Sequence, residues 1–116
     1  MSNDACTFCR IVANQATANI LYRDQTLTAF RDAHPIATTH LLIVPNRHIE
    51  SLNDLGDDDD GLLGYMLLVA RRLAIKEGVD KSGYRLVINT GEQAGQSIPH
   101  LHLHLIGGRP MGWPPG

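Results

Sequence analysis

The sequence predicts an α+β domain in which one long helix covers a five-stranded antiparallel sheet. Three observations point there. Five short segments rich in Val, Ile and Leu are bounded by turn residues, and one longer segment repeats apolar residues at helical spacing. Short connections between successive strand segments favour antiparallel pairing. At 116 residues the chain is expected to be one domain over 1–116, able to bury roughly two thirds of its unfolded surface.

Residues 6–12 read as a short helical turn or an irregular segment. Strands are expected at 20–23 and 27–31, with Asp24 and Gln25 turning between them, and at 40–45, where Pro45 ends a run of Leu, Ile and Val. The helix is expected over 58–77. Leu62, Met66, Val69, Ala70 and Leu73 form its buried stripe. Asp57 to Asp60 stand at its start and Arg71, Arg72 and Lys76 toward its end, a polarity that suits the helix dipole. Four adjacent aspartates also suggest a cation site, but a capping, solvated turn is the plainer reading. Gly78 and Gly83 bound the exit, a fourth strand covers 84–89, and the fifth holds an alternating histidine row. No internal repeat or domain boundary interrupts this order.

Composition narrows the partners. The net charge of −2 and the lack of a basic stripe argue against a nucleic-acid polymer, so a phosphate-bearing partner would be a small molecule. Residues 1–4 lack the basic and apolar regions of a leader, and the longest apolar run, 62–70, is interrupted by Gly64 and too short to span a bilayer. A cytoplasmic, non-membrane protein is the expectation. Two cysteines do not make a secreted disulfide scaffold.

Half of the six histidines lie in Pro99-His100-Leu101-His102-Leu103-His104-Leu105-Ile106. Alternation predicts a half-buried strand with three imidazoles on one face and three leucines on the other. Those imidazoles are tolerated surface residues, metal ligands, or a nucleophile with its helpers. One shared ion is hard to reach, because His100 and His104 are roughly 13 Å apart along a strand. An imidazole attacking phosphorus needs no prior deprotonation, and the resulting phosphorus–nitrogen bond is open to water. The loop 91–97 favours that third reading: its glycines and backbone amides suit an anion, with Gln96, Ser97 and Asn89 as side-chain donors. Taken alone, the loop reads as an ordinary hairpin.

The histidine row resembles the His-x-His-x-His-x-x motif of the histidine triad (HIT) superfamily. Residues 30–35, 39–45 and 47–49 resemble its upstream blocks, Gly95-Gln96-Ser97 its phosphate loop, and 107–116 the tail of its HINT branch, so the likeness covers about 5–116. The resemblance implies a HIT-like fold with a short N-terminal helix and a purine nucleoside phosphoramidase. Such an enzyme hydrolyses the P–N bond of AMP–amine conjugates, including adenosine 5′-monophosphoramidate and AMP-lysine, through a nucleotidyl-histidine, with retention at phosphorus. By position His102 is the nucleophile, and the carbonyl of His100 fixes its tautomer. His104 holds phosphate, His40 lies behind the nucleophile, and Ser97 assists the departing amine. Gly95 belongs to the phosphate loop, and Asn89 and Gln96 contact phosphate and ribose. Asp32 accepts from the ribose diol, while Phe8, Ile11, Phe30 and Leu42 sandwich the base; core packing accounts for those four equally well. Within the superfamily the alternative is a dinucleoside polyphosphate hydrolase, and outside enzymes a nucleotide-binding scaffold with incidental turnover. The resemblance further implies a homodimer with joined sheets, in which Trp113 and its proline-rich tail reach toward the partner's site.

Cys6-Thr7-Phe8-Cys9 departs from the animal members of the branch and matches many bacterial ones. By position Cys6, Cys9, His48 and His100 hold a structural zinc; the catalytic step takes no cofactor. Two thiolates and two imidazoles make a closed tetrahedral set with no open position. A redox pair and two inert thiols are the alternatives, although no strand precedes the motif as a thioredoxin-like pair requires. His34 reads as a turn histidine.

Overall fold

A computed structural model describes residues 5–116; residues 1–4, whose composition argued against a leader, lie outside the described residues. The order is α1 (Thr7–Val12), β1 (Ile20–Arg23), β2 (Leu27–Arg31), β3 (Thr39–Pro45), α2 (Asp60–Lys76), β4 (Tyr84–Val87) and β5 (Leu103–Gly107). The strands form one antiparallel sheet in the order β1-β2-β3-β5-β4. The α2 crossover makes β3 and β4 run the same way, and β5 inserts between them antiparallel to both. β4 and β5 are consecutive, adjacent and antiparallel, so a long hairpin link, residues 88–102, joins them, and it contains the glycine loop.

Alternation in β2, β3 and β5 sorts side chains onto two faces. Leu27, Ala29, Leu41, Ile43, Leu101, Leu103 and Leu105 join Met66, Val69, Ala70, Leu73 and Ala74 of α2 in the larger core. The opposite face carries Phe30, Leu42 and Val44, covered by Phe8, Cys9 and Ile11 of α1. Every residue of β3 is buried. This second cover corrects the half-buried strand expected for the histidine row, where His100 and His102 are buried along with Leu101 between them.

Two boundaries differ from expectation. β4 ends at Val87, paired with His104, so residues 100–102 lie beyond the ladder. They are held by other bonds: Leu101 N–H donates to the Ile49 carbonyl at 2.6 Å, and the His100 imidazole reaches the Pro45 carbonyl at 2.8 Å. Helix α2 begins at Asp60 after a 3-10 turn over Asp57–Asp59. There Asp59 accepts from Gly56 N–H at 2.8 Å and from Arg47 at 3.0 Å, and these bonds hold its carboxyl below the usual range. The aspartate run behaves as a solvated helix entry. Leu62 is only partly buried, and Ala74 joins the stripe in addition to the residues expected.

A polar knot ties the first turn to α2. Asp24 accepts from Thr26 N–H at 2.7 Å and Leu27 N–H at 2.8 Å through one oxygen. Its other oxygen takes the hydroxyls of Tyr22 and Tyr65. Burial alone would raise the Asp24 pKa, but these hydrogen bonds outweigh it and leave a strongly ionised carboxylate.

Candidate active site and metal centre

Sheet register sets out the site. Phe30, Leu42, His104 and Val87 lie side by side across β2, β3, β5 and β4, and the next row is His40, Ile106 and Arg85. All seven share the face covered by α1. On that face lies a cavity of about 610 Å³. Phe8, Ile11, Phe30 and Leu42 line it, as do Asp32, Asn89, Gly95, Ser97, His102 and His104. The four apolar residues are thus both core and cavity wall. Among the described residues His40 borders a neighbouring cavity instead, and touches this one through His104 and Asp32.

The hydrogen-bond partners assign the protons on the rings. His102 Nδ1 lies 2.7 Å from the His100 carbonyl, an acceptor only, so Nδ1 carries the proton and Nε2 keeps a free lone pair. That carbonyl precedes the ladder and is available for this bond. Phe8 packs edge-on against His102 at 5.1 Å between centroids and limits its rotation.

A second chain sets His104. Ile36 N–H donates to His40 Nδ1 at 3.2 Å, which leaves the proton of neutral His40 on Nε2. His40 Nε2–H then donates to His104 Nδ1 at 2.9 Å, with Asp32 at 3.4 Å. His104 Nε2 is therefore a donor, able to bond an anion in the cavity. Burial keeps both rings neutral: it lowers His40 despite Asp32, and burial with the fields of His102 and His40 pushes His104 down to about 4. Asp32, His40 and His104 also come close enough for a metal ion. The Ile36 bond argues against that use, because it commits His40 Nε2 to its proton.

The glycine loop is folded on itself. Gly91 and Gly95 have φ of 85° and 81°, a backbone that L side chains resist, and they frame the 3-10 turn Glu92–Ala94. Gly91 N–H donates to the Gln96 side chain at 3.1 Å, Gln96 N–H to Gly91, and Gly95 N–H to Glu92. These amides are spent within the loop and do not cradle an anion. Gln96 also donates to the carbonyls of Glu50 at 2.7 Å and Ile98 at 3.1 Å. Its side chain therefore clamps the loop on the far side, facing a groove shared with Glu50 and Pro99, and does not line the 610 Å³ cavity. Ser97 does line it.

Outside this cavity, Cys6, Cys9, His48 and His100 bring four ligand atoms within 4.8 Å of one another. His100 Nδ1 lies 3.3 Å from Cys6 Sγ and 3.5 Å from Cys9 Sγ, and His48 Nδ1 lies 3.1 Å from Cys9 Sγ. Zinc bonds of about 2.3 Å to sulfur and 2.0 Å to nitrogen put tetrahedral S–N edges near 3.5 Å. The set fits such an ion with little adjustment. His100 Nε2–H donates to Pro45, so Nδ1 is the free lone pair, and burial lowers the ring's pKa against that bond. This cluster could hold a metal.

Sequence reasoning missed several parts. Thr17, Ala18 and Asn19 line the cavity from an irregular segment with no pattern to flag it. His34 stands at the rim, and its N–H donates to Asp32 at 2.8 Å, fixing the acceptor expected for a ribose. The Ile36 amide that orients His40 is a backbone group, which no residue pattern reveals.

The chain compares closely with known proteins. A family model described as the HIT domain matches residues 13–111. The chain is 44% identical over 105 residues to the purine nucleoside phosphoramidase of Escherichia coli K12, covering 90% of this chain and 88% of that one. A crystal structure of a HIT family hydrolase from Legionella pneumophila Philadelphia 1 superposes with a TM-score of 0.94 at 49% identity, over 96% of this chain and 99% of the other. A zinc-bound histidine triad family protein from Mycobacterium smegmatis superposes at 0.78 with 29% identity, over 91% and 76%.

Proposed function

The chain belongs to the HIT domain family, and from that premise we propose that it is a purine nucleoside phosphoramidase, a hydrolase of P–N bonds. The observation that carries the reading is the fixed tautomer of His102, whose free Nε2 stands in the wall of a cavity that also offers Asp32 and an apolar slot. The base lies among Phe8, Ile11, Phe30 and Leu42, and the ribose hydroxyls donate to Asp32. His104 Nε2–H and Asn89 hold the phosphoryl oxygens.

His102 Nε2 attacks phosphorus, the P–N bond breaks, and the amine leaves with a proton that solvent water supplies through the Ser97 hydroxyl, balanced by the proton that the attacking water later releases. The ring of nucleotidyl-His102 carries positive charge, which strengthens its Nδ1–H bond to the His100 carbonyl. Water then attacks phosphorus, the bond to Nε2 breaks, and AMP departs. Two inversions give net retention. Gln96 acts in this scheme by keeping Ser97 in place, with no contact to substrate of its own.

Cys6, Cys9, His48 and His100 hold a structural zinc in this reading, supported by their fit to a tetrahedral site. Bound there, the ion supplies a cross-link between α1 and the histidine segment. The whole chain acts as one HIT domain, in the cytoplasm, as a homodimer. β4 is a sheet edge, and Leu67, Leu68 and Ile75 of α2 are about half exposed, which supports a partner surface.

The test compares adenosine 5′-monophosphoramidate with diadenosine polyphosphates, using His102→Asn as control. The phosphoramidate is expected to be turned over preferentially, and the variant to lose about 10⁴-fold or more in kcat. Comparable turnover by the variant removes the nucleophile assignment. Preference for polyphosphates favours the alternative hydrolase, and AMP binding without hydrolysis favours a binding protein.

A further inference from the structure

Phe8 belongs to two sites at once. In sequence it stands between Cys6 and Cys9. In space its ring packs edge-on against Phe30 at 5.4 Å, His100 at 5.9 Å and His102 at 5.1 Å between centroids. It forms a wall of the base slot and braces the proposed nucleophile, while its backbone lies inside the turn that carries both thiols. Whatever reshapes that turn reaches the nucleotide site.

The turn is built to close. Arg10 N–H donates to the Cys6 carbonyl at 3.1 Å, and Cys9 N–H to Cys6 Sγ at 3.4 Å, so the two cysteines share one helical turn and one side of it. Positions three apart on such a turn have Cα atoms about 5 Å apart, inside the roughly 4.4–6.8 Å that a disulfide spans. The two sulfurs lie within 4.8 Å of each other. On one side the cluster reaches solvent, because His48, whose Nδ1 is 3.1 Å from Cys9 Sγ, is only partly buried. Closure is not neutral for the surroundings. Sulfurs sharing a tetrahedral zinc stand about 3.8 Å apart, and a disulfide draws them to about 2.05 Å. The first turn of α1 must absorb that difference, and Phe8 lies in it. His48 and His100 are then left as two imidazoles, too few for a closed tetrahedral site.

We propose that Cys6 and Cys9 are an oxidation site, at which hydrogen peroxide closes a disulfide, releases the metal and loosens the base slot through Phe8. The Cys9 thiolate attacks a peroxide oxygen, the O–O bond breaks, and a sulfenic acid forms with loss of hydroxide. The Cys6 thiolate attacks the Cys9 sulfur, the S–O bond breaks, and a second hydroxide leaves. Two protons from solvent turn both hydroxides into water. The pair of thiolates loses two electrons and the peroxide gains them. The link to the base slot rests on the phosphoramidase reading; the disulfide does not.

The experiment treats the full chain, reconstituted with zinc, with one equivalent of hydrogen peroxide. Mass spectrometry of the tryptic peptide ending at Arg10, which holds both cysteines, is expected to show the loss of two hydrogens. A chromogenic chelator is expected to register about one zinc released per chain. The Kd for AMP, by calorimetry, is expected to rise about tenfold, the scale of one loosened aromatic contact, and to return with dithiothreitol and zinc. In Phe8→Leu the ratio of oxidised to reduced Kd should fall below about twofold. Each ratio compares two states of one protein, so a general loss of stability does not mimic the result. In Cys6→Ser, Cys9 should accumulate as a sulfenic acid that dimedone labels. Thiols that stay reduced, or that pass to sulfinic acid without a disulfide, overturn the site. A disulfide that leaves AMP affinity unchanged, or that changes it equally in Phe8→Leu, overturns the coupling. Reduced protein that binds no AMP defeats the function on which the coupling rests, and the disulfide is then judged on the peptide mass and the released zinc.

Discussion

At the scale of single residues, the three histidines of the row differ because their partners differ. His102 is set by a carbonyl two residues earlier, His104 by a ring on the next strand, and His100 by a carbonyl and two thiols. Alternation alone made them look equivalent, and only the family resemblance separated their roles. The proton on each ring depends on backbone groups such as Ile36 N–H, which sequence does not display. Neutral His104 makes a testable case. Its folded pKa of about 4 lies below the ordinary value of 6.5. Between those values the unfolded chain binds the proton and the folded chain does not, so stability is full above about pH 6.5 and declines on acidification toward 4. His40 shifts in the same direction. Denaturant midpoints across that window should fall with pH, and the His104 ring resonance should titrate near 4; a midpoint near 6.5 would remove the buried chain.

At the scale of elements, β1, β2, β3 and α2 were legible because turn residues, β-branched runs and a helical stripe agree there. β5 was less so. Its polar and apolar positions alternate as in a surface strand, yet α1 covers the histidine face. That helix is only six residues long, too short for the spacing of Phe8, Ile11 and Val12 to announce it. It packs Phe8 and Ile11 on the sheet and brings Cys6 and Cys9 beside His48 and His100. Cys9→Ser should lower zinc well below about one per chain, and lower Tm by about 10 °C, since metal binding of this kind is folding energy. Metal analysis and calorimetry of the same preparations check it; a zinc-free wild type with an unchanged melting curve would speak for inert thiols. On α2, Leu67 points away from the core and is 48% exposed. Leu67→Glu should therefore cost the protomer little, about 0.5 kcal/mol, while shifting the proposed dimer toward monomer in sedimentation. A variant that sediments as wild type would move the interface elsewhere.

For the whole molecule, the sheet divides labour by face. One face carries α2 and the larger core; the other carries α1, the cysteine–histidine cluster and both cavities. Sequence singled out most of the residues that line the first cavity because they fall in short motifs, whereas Gln96 turns to the Glu50 and Ile98 carbonyls because a loop amide can point to either side. His100 joins two regions of the second face, with its ring at the Cys6, Cys9 and His48 side chains and its carbonyl on His102, the proposed nucleophile. Equilibria that share a residue are reciprocal: whatever bound metal does for the nucleophile, a charged nucleophile does for the metal. In the proposed mechanism, nucleotidyl-His102 would pull harder on that carbonyl and so steady the ring that faces the thiols. Zinc should then leave more slowly during turnover than at rest, and a chromogenic chelator would record catalysis as a change in metal off-rate.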